Sequence, residues 1–503
     1  GTGGASDRQK NLARMFLDPQ PNVSPEALER GKRALVRDAA WASMVGSLYG
    51  GVVLVGFALQ LGATPLHIGI LAAIPFFAQI AQIPAIALVE RVRQRKKIAF
   101  VATTTSRLVI LSLTLLAFVQ QDATRLLLLL AAQALITVLG SVGGCSVNAW
   151  MHQLLAGQGL GALFSRRLFW STVLASLGAT AAGQMVQHWP GTNKLHAYAI
   201  AFAAAAAAGF ISTYYLSRVP EPRMEATGPR LPLLGMLRAP FLEPNFRRVI
   251  IFMASWNFAS NLAAPFLTVY LLQQLGYGLG TVTTLWVFSQ VANALTLYLW
   301  GRISDTLTNK ALLAVALPAY LGCLVAFPFT AIPSVHALTL PLLYLIHVIM
   351  GAASGGIGLA TGNLGLKLAP QGRGTSFLAV VGLSGAAAGG LASLTGGALA
   401  DWFSARELQV IVHWASASAS QQITVIKFQH WEFLFGISFL LGWYVLHALS
   451  RINEGSEHSE RQVISQFVEE ASRSLSQLSP IEGLRSVLVV PFGRLRDRRI
   501  KTR

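Results

Sequence analysis

Long apolar stretches, most close to twenty residues and separated by short polar turns, run through most of the chain. A helix rises 1.5 Å per residue, so about 20 such residues cross a bilayer core. On that measure the pattern predicts twelve spans, at 39–61, 66–89, 98–119, 126–155, 167–187, 197–217, 248–273, 279–300, 311–330, 337–366, 375–400 and 430–450. Six fall on each side of a polar stretch, 218–247, whose Arg218-Val-Pro-Glu-Pro-Arg223 reads as a linker. The chain then divides into an N-terminal segment (1–37), a six-helix bundle (38–217), the linker (218–247), a second six-helix bundle (248–450) and a C-terminal tail (451–503). The expected fold is an all-α polytopic membrane protein of two pseudo-symmetric bundles.

A long repeat strengthens that division. Leu-Ala-x-Gln-Gly-x-Gly-x-x-Phe occurs at Leu155–Phe164, beginning Leu-Ala-Gly-Gln-Gly, and again at Leu368–Phe377, beginning Leu-Ala-Pro-Gln-Gly. Gln60-Leu61-Gly62 likewise returns as Gln274-Leu275-Gly276. A period above two hundred residues is far too long for a solenoid unit. It fits two copies of one half-protein, a common transporter design.

Composition agrees. Only 12% of the 503 residues are charged and the mean hydropathy is +0.53, whereas soluble domains carry about 25% charged residues. The two cysteines, Cys145 and Cys323, sit singly in apolar runs and support neither a disulfide framework nor a metal site. The net charge of +18 lies in short loops and tails. That placement suits an anionic cytoplasmic leaflet and argues against nucleic acid. Loops on the side of the tails hold 17 Lys and Arg, and the opposite loops hold Arg125, Lys194, Arg406 and Lys427. The positive-inside rule then places both termini in the cytoplasm. The first 37 residues are polar, so the first apolar segment is expected to be a true span and not a cleaved signal.

Both tails show helical signals. Ser24-Pro25-Glu26 is a helix start. Val463, Phe467, Ala471, Leu475 and Leu478 recur at helical spacing before a basic end. The expected picture is a helix resting on the membrane surface, with a protein partner docking at this tail as the alternative.

The loop after the eighth span reads Gly301-Arg-Ile-Ser-Asp-Thr-Leu-Thr-Asn-Lys310, and the loop after the second reads Val89-Glu-Arg-Val-Arg-Gln-Arg-Lys-Lys97. The first of these resembles the loop signature of the major facilitator superfamily through Gly301, Asp305, Asn309 and Lys310. The other is degenerate, with Glu90 and Arg91 in place of the acid and the base that follows it. The resemblance, over about residues 35–450, implies a bacterial-type inner-membrane transporter that alternates access. It implies that Glu90 faces the start of span 11 near Gly374, and Asp305 the start of span 5 near Arg166. Arg373 belongs to the matching loop of the second half. A carboxylate over a positive helix start is physically sound; an ordinary solvated turn is the other reading.

The same resemblance implies a central site lined by spans 1, 4, 7 and 10 and flanked by 2, 5, 8 and 11. Cavity candidates are Tyr49, Gln79, Gln133, Asn148, Asn257, Asn261, Gln290, Asn293, His347 and Asn363. Each could instead join two helices, since an amide in hydrocarbon needs a partner. Arg107, ten residues beyond Lys97, is a candidate by default or else snorkels. His347 suits proton exchange or rests as a bonded neutral ring. Asp38, Glu90, Asp305, Asp401 and Glu432 all fall at span ends or in loops, which disfavours a cationic substrate. There is no Gly-x-x-x-x-Gly-Lys-Ser/Thr loop, so ATP use has no support and no cofactor or metal is expected. No catalytic cluster suggests an enzyme. The expected function is secondary or facilitative transport of a small neutral or anionic organic solute, with the monomer as the transport unit. A lipid or amphiphile translocator and a non-transporting scaffold on the same fold are the alternatives.

Overall fold

In a computed structural model of the chain, described residues are 18–21, 23–156, 160–224, 233–331, 334–369, 374–415, 420–455 and 462–469. Within these, the side chains of 160–162, 233–237, 305–306, 374–376, 414, 421 and 423–427 are not described.

The first bundle holds α1 (Pro25–Tyr49) and α2 (Gly51–Gln60), which together make span 1. Span 2 is likewise divided, into α3 (Pro65–Ala78) and α4 (Gln82–Val92), with a 3₁₀ turn at Gln79–Ala81 between them. Spans 3 to 6 follow as α5 (Arg95–Ser112), α6 (Asp122–Leu154), α7 (Leu160–Gln187) and α8 (Leu195–Ser217). After a short helix, α9 (Leu233–Leu242), the second bundle holds spans 7 to 10. These are α10 (Pro244–Val269), α11 (Leu279–Thr306), α12 (Asn309–Phe329) and α13 (Thr339–Leu368). Span 11 is α14 (Gly374–Phe403), a hairpin β1 (Glu407–Ala415) and β2 (Ser420–Gln429) comes next, and span 12 is α15 (Glu432–Ser450). Among the described residues, eleven spans are long and apolar enough to cross a bilayer. The remaining one, α7, is long enough but begins at polar positions, with Ser165, Arg166 and Arg167 in its first two turns.

The helices begin where cap chemistry directs. The Ser24 hydroxyl accepts the Ala27 amide at 3.2 Å and Pro25 opens the first turn, so the first helix starts fourteen residues before the predicted span. Span 1 breaks at Gly50–Gly51, where Gly51 has φ +52. Span 7 carries Pro265 and ends in a π turn, Tyr270–Gln274. Gly62 and Gly276, the repeated glycines, both take the left-handed turn at φ +79 and +71. Only glycine enters that region without a steric penalty.

The hairpin is a correction to a wholly helical expectation. β1 and β2 pair antiparallel from Glu407↔Gln429 to Ala415↔Ser420, with a bulge between Val410 and Ile411. Its β-branched runs, Val-Ile-Val and Ile-Thr-Val-Ile, carry a strand signal that span counting by hydropathy does not register. The tail is also corrected in part. A helix at 462–469 buries Val463 and lays Phe467 on Trp300, ring centroids 4.6 Å apart, so this piece packs on the second bundle. Ala471, Leu475 and Leu478 lie outside the described residues.

Candidate functional site

Gln20 lies beside Glu221, and Asn309 beside Glu454, so the residues just before span 1 and just after span 12 share one end of the molecule with the loops after spans 2, 6 and 8. That end is called the tail end, and its opposite the far end. The bundles meet closely at the far end. A methyl added at Gly69 would sit 2.5 Å from the Ser393 carbonyl oxygen, and one at Gly397 would sit 2.9 Å from that of Pro65. Gly183 presses on Thr283 in the same way, and Gly56 lies against Leu279. At the breaks in spans 1 and 2 the packing partners change. α2 and α3, the far-end pieces, touch the second bundle, whereas α1 packs on α7 and α8 and α4 packs on α6. A 3₁₀ segment inside a helix is a common hinge mark.

The expected cavity residues fall into different settings. The Tyr49 hydroxyl donates to Gln133 Oε1, both buried, so this pair joins spans 1 and 4. Tyr49→Phe would leave the Gln133 oxygen without a donor, and should lower stability by about 1–3 kcal/mol in a detergent melt. Asn257 Nδ2 donates to Met253 O at 2.9 Å and packs over Gly385. Asn261 Nδ2 donates to Asn257 O at 2.9 Å. Asn293 faces Gly355, where spans 8 and 10 meet inside the second bundle. Gln79 opens the 3₁₀ turn of span 2. Gln290 is half-buried and Asn148 is exposed. His347 Nδ1 lies 2.8 Å from Leu343 O, with its ring edge-on to Phe327. That is the setting of a bonded ring within its own helix.

Arg107 sits inside the first bundle. Its side chain crosses Gly209 of span 6, and its Nε has no hydrogen-bond partner. Asp38 is close enough to feel its charge and accepts the Ser212 hydroxyl at 2.7 Å. Because α1 starts at Pro25, Asp38 lies within a continuous helix that extends beyond the apolar stretch.

The tail-end loops hold two matched carboxylates that the sequence reading missed. Glu221 follows span 6 and accepts the Arg95 amide at 2.7 Å and the Lys96 amide at 3.2 Å, at the start of α5. Glu454 follows span 12 and accepts the Asn309 amide at 3.2 Å and the Lys310 amide at 2.7 Å, at the start of α12. Each carboxylate thus occupies the positive end of the third helix of its own half. Arg95, 3% exposed, also donates to Glu221, to Ala149 O, to Gln153 and to Pro222 O. A signal was present: Leu-Ser-Arg-Val-Pro-Glu221 and Leu-Ser-Arg-Ile-Asn-Glu454 close spans 6 and 12.

Of the loop-motif residues, Asn309 and Lys310 belong to the second of these clusters. Lys310 Nζ donates to Ser450 O and Ile452 O, both at 2.9 Å. Asn363 also belongs there, because its Nδ2 donates to Ser304 Oγ, which in turn donates to Asn309. Gly301 lies in α11 with open space beside it, and Glu90 and Arg91 lie in the last turn of α4. The Asp305 side chain and Arg373 lie outside the described residues. Burial alone would raise the Glu454 carboxyl, but the Lys310 amide, Asn309 and Lys367 outweigh it and hold the group below its ordinary 4.5. Its contribution is therefore complete above that value and is lost as pH falls through the lowered one. An acid titration of stability should show this loss, and Glu454→Gln should remove it.

Two helical bundles, related by an internal repeat and in close contact at the far end, define a polytopic membrane transporter. The chain belongs to the Major Facilitator Superfamily, whose family model matches residues 39–393. Solved structures agree on the fold. The nucleoside transporter NupG is 14% identical, with 86% of this chain and 100% of that one covered at a TM-score of 0.60. A D-xylose-proton symporter is 13% identical, covering 84% and 97% at 0.61. A bacterial homologue of the human lysosomal transporter Spinster is 15% identical, covering 76% and 84% at 0.57. Among curated proteins none matches the sequence.

Proposed function

We propose that this protein moves a small neutral or anionic organic solute across the bacterial inner membrane by alternating access, with its tails in the cytoplasm and the far end outside. The observation that carries the reading is the uneven seam: the far-end pieces of spans 1 and 2 pack across it, and their tail-end pieces pack within their own bundle. An inward-open state has that form. The relatedness to a nucleoside transporter and a sugar symporter supports an organic cargo. The inner helices offer carboxamides, at Asn148, Asn257 and Asn261, in place of charge. Asp38 does not make the interior anionic, since it accepts the Ser212 hydroxyl and has the charges of Arg167 and Arg107 near it. The 305 position in the signature loop is proposed to steady the tail end when it closes.

Purified protein in liposomes, offered labelled nucleosides, sugars and organic anions with and without a pH gradient, tests this. Saturable uptake of one class, reduced by Asp305→Ala, is the expected result. Movement of fluorescent lipid in place of any solute would favour the lipid translocator.

A further inference from the structure

We propose that Gln187 and Asp401 are matched latches that hold the far end shut, each capping a helix of the opposite bundle. This rests on the alternating-access reading. The first amides of a helix have no partner within it and carry the positive end of its dipole. At the start of α11 the cap position is Gly278, which has no side chain to offer. Gln187, from span 5 of the other bundle, supplies the side-chain acceptor: its Oε1 takes the Thr281 amide at 3.2 Å, shared with the Gly278 carbonyl at 3.0 Å. It lies against Gly278 and Gly280, where any Cβ would collide with it. At the start of α3, Thr64 and His67 cap each other's amides, and the Leu66 amide donates to Asp401 Oδ2 at 3.2 Å, from span 11.

The two latches are related by the internal repeat. Gln187 and Asp401 stand at the same offset as Gln60-Leu61-Gly62 and Gln274-Leu275-Gly276. One turn deeper, Gly183 and Gly397 share that offset, and so do the residues they press on, Thr283 and Gly69. Spans 5 and 8, and 11 and 2, thus make one seam twice. The chemistry suits a joint that must open. When it parts, each helix-start amide and its acceptor can return to water at the surface, and no buried ion is stranded. One latch carries charge and the other is neutral, so the halves are held by unequal bonds.

The test uses distances between spin labels in lipid-reconstituted full-length protein with Cys145 and Cys323 replaced. One pair of labels is placed at Ala123 and Ser334 on the far end, the other at Lys97 and Arg247 on the tail end. Gln187→Ala and Asp401→Ala should each raise the far-end ratio of long to short distances about tenfold. The tail-end distance should shorten in the same fraction of molecules. Gly397→Val, which wedges the same seam by bulk, is the reference. Movement in that variant with unchanged distances in both latch variants overturns the latch. No movement in any of them overturns the alternating-access reading itself. Either latch variant carries the test if the other does not fold.

Discussion

Glu221→Ala should lower the stability of the first bundle by about 3–5 kcal/mol, the usual cost of removing one partner from a buried ion pair. The Arg95 and Glu221 side chains are 4% and 0% exposed, with Nε and Oε1 3.3 Å apart. The carboxylate also accepts two backbone amides at the start of α5, so its loss leaves a cation and two donors in a dry site. Thermal unfolding in detergent, followed by near-ultraviolet dichroism, measures the change. Glu221→Gln should cost less, because an amide oxygen still accepts. Lys367→Ala should cost little, since its bond to Glu454 at 3.1 Å comes from a side chain 52% exposed. A Glu221→Ala protein that melts like the parent would show that the cluster is not needed for the bundle.

Gly397→Val should strongly reduce uptake of whichever solute the protein carries. A methyl there would meet the Pro65 carbonyl oxygen at 2.9 Å and the Leu66 Cα at 3.0 Å, both backbone atoms that cannot turn aside. Overpacking of this kind costs about 1–3 kcal/mol. Here the far-end-closed state bears the whole cost, so the balance of states shifts by roughly ten- to a hundredfold. Gly382→Ala, in the same helix but facing open space, should leave uptake unchanged. Equal uptake by the two variants would mean that the Gly69–Gly397 contact does not control the cycle.

The seam, the caps and the hairpin were legible to different degrees. The spans were plain because hydrocarbon demands long apolar runs and satisfied backbones. The matched glutamates had a readable signal, the repeated Leu-Ser-Arg, yet their function depends on which helix start lies beside them. Asn363 shows the same limit. Its place in span 10 suited a cavity, but the fold turns it to Ser304 and the Glu454 cluster. Arg107 was visible as a charge in an apolar run, and only the packing of span 6 set it against Gly209, inside the first bundle.

By itself the sequence determined the span pattern, the duplication, the basic side and the superfamily, because all of these follow from local composition and spacing. The tertiary structure decided where the two bundles meet closely, where spans 1 and 2 divide, and which carboxylate caps which helix. Those depend on contacts between residues far apart in the chain, such as Leu66 with Asp401, whose partners no local pattern names. The cause is physical: a hydrophobic period reports the solvent a helix needs, while a gate is made by the few polar groups that meet across it.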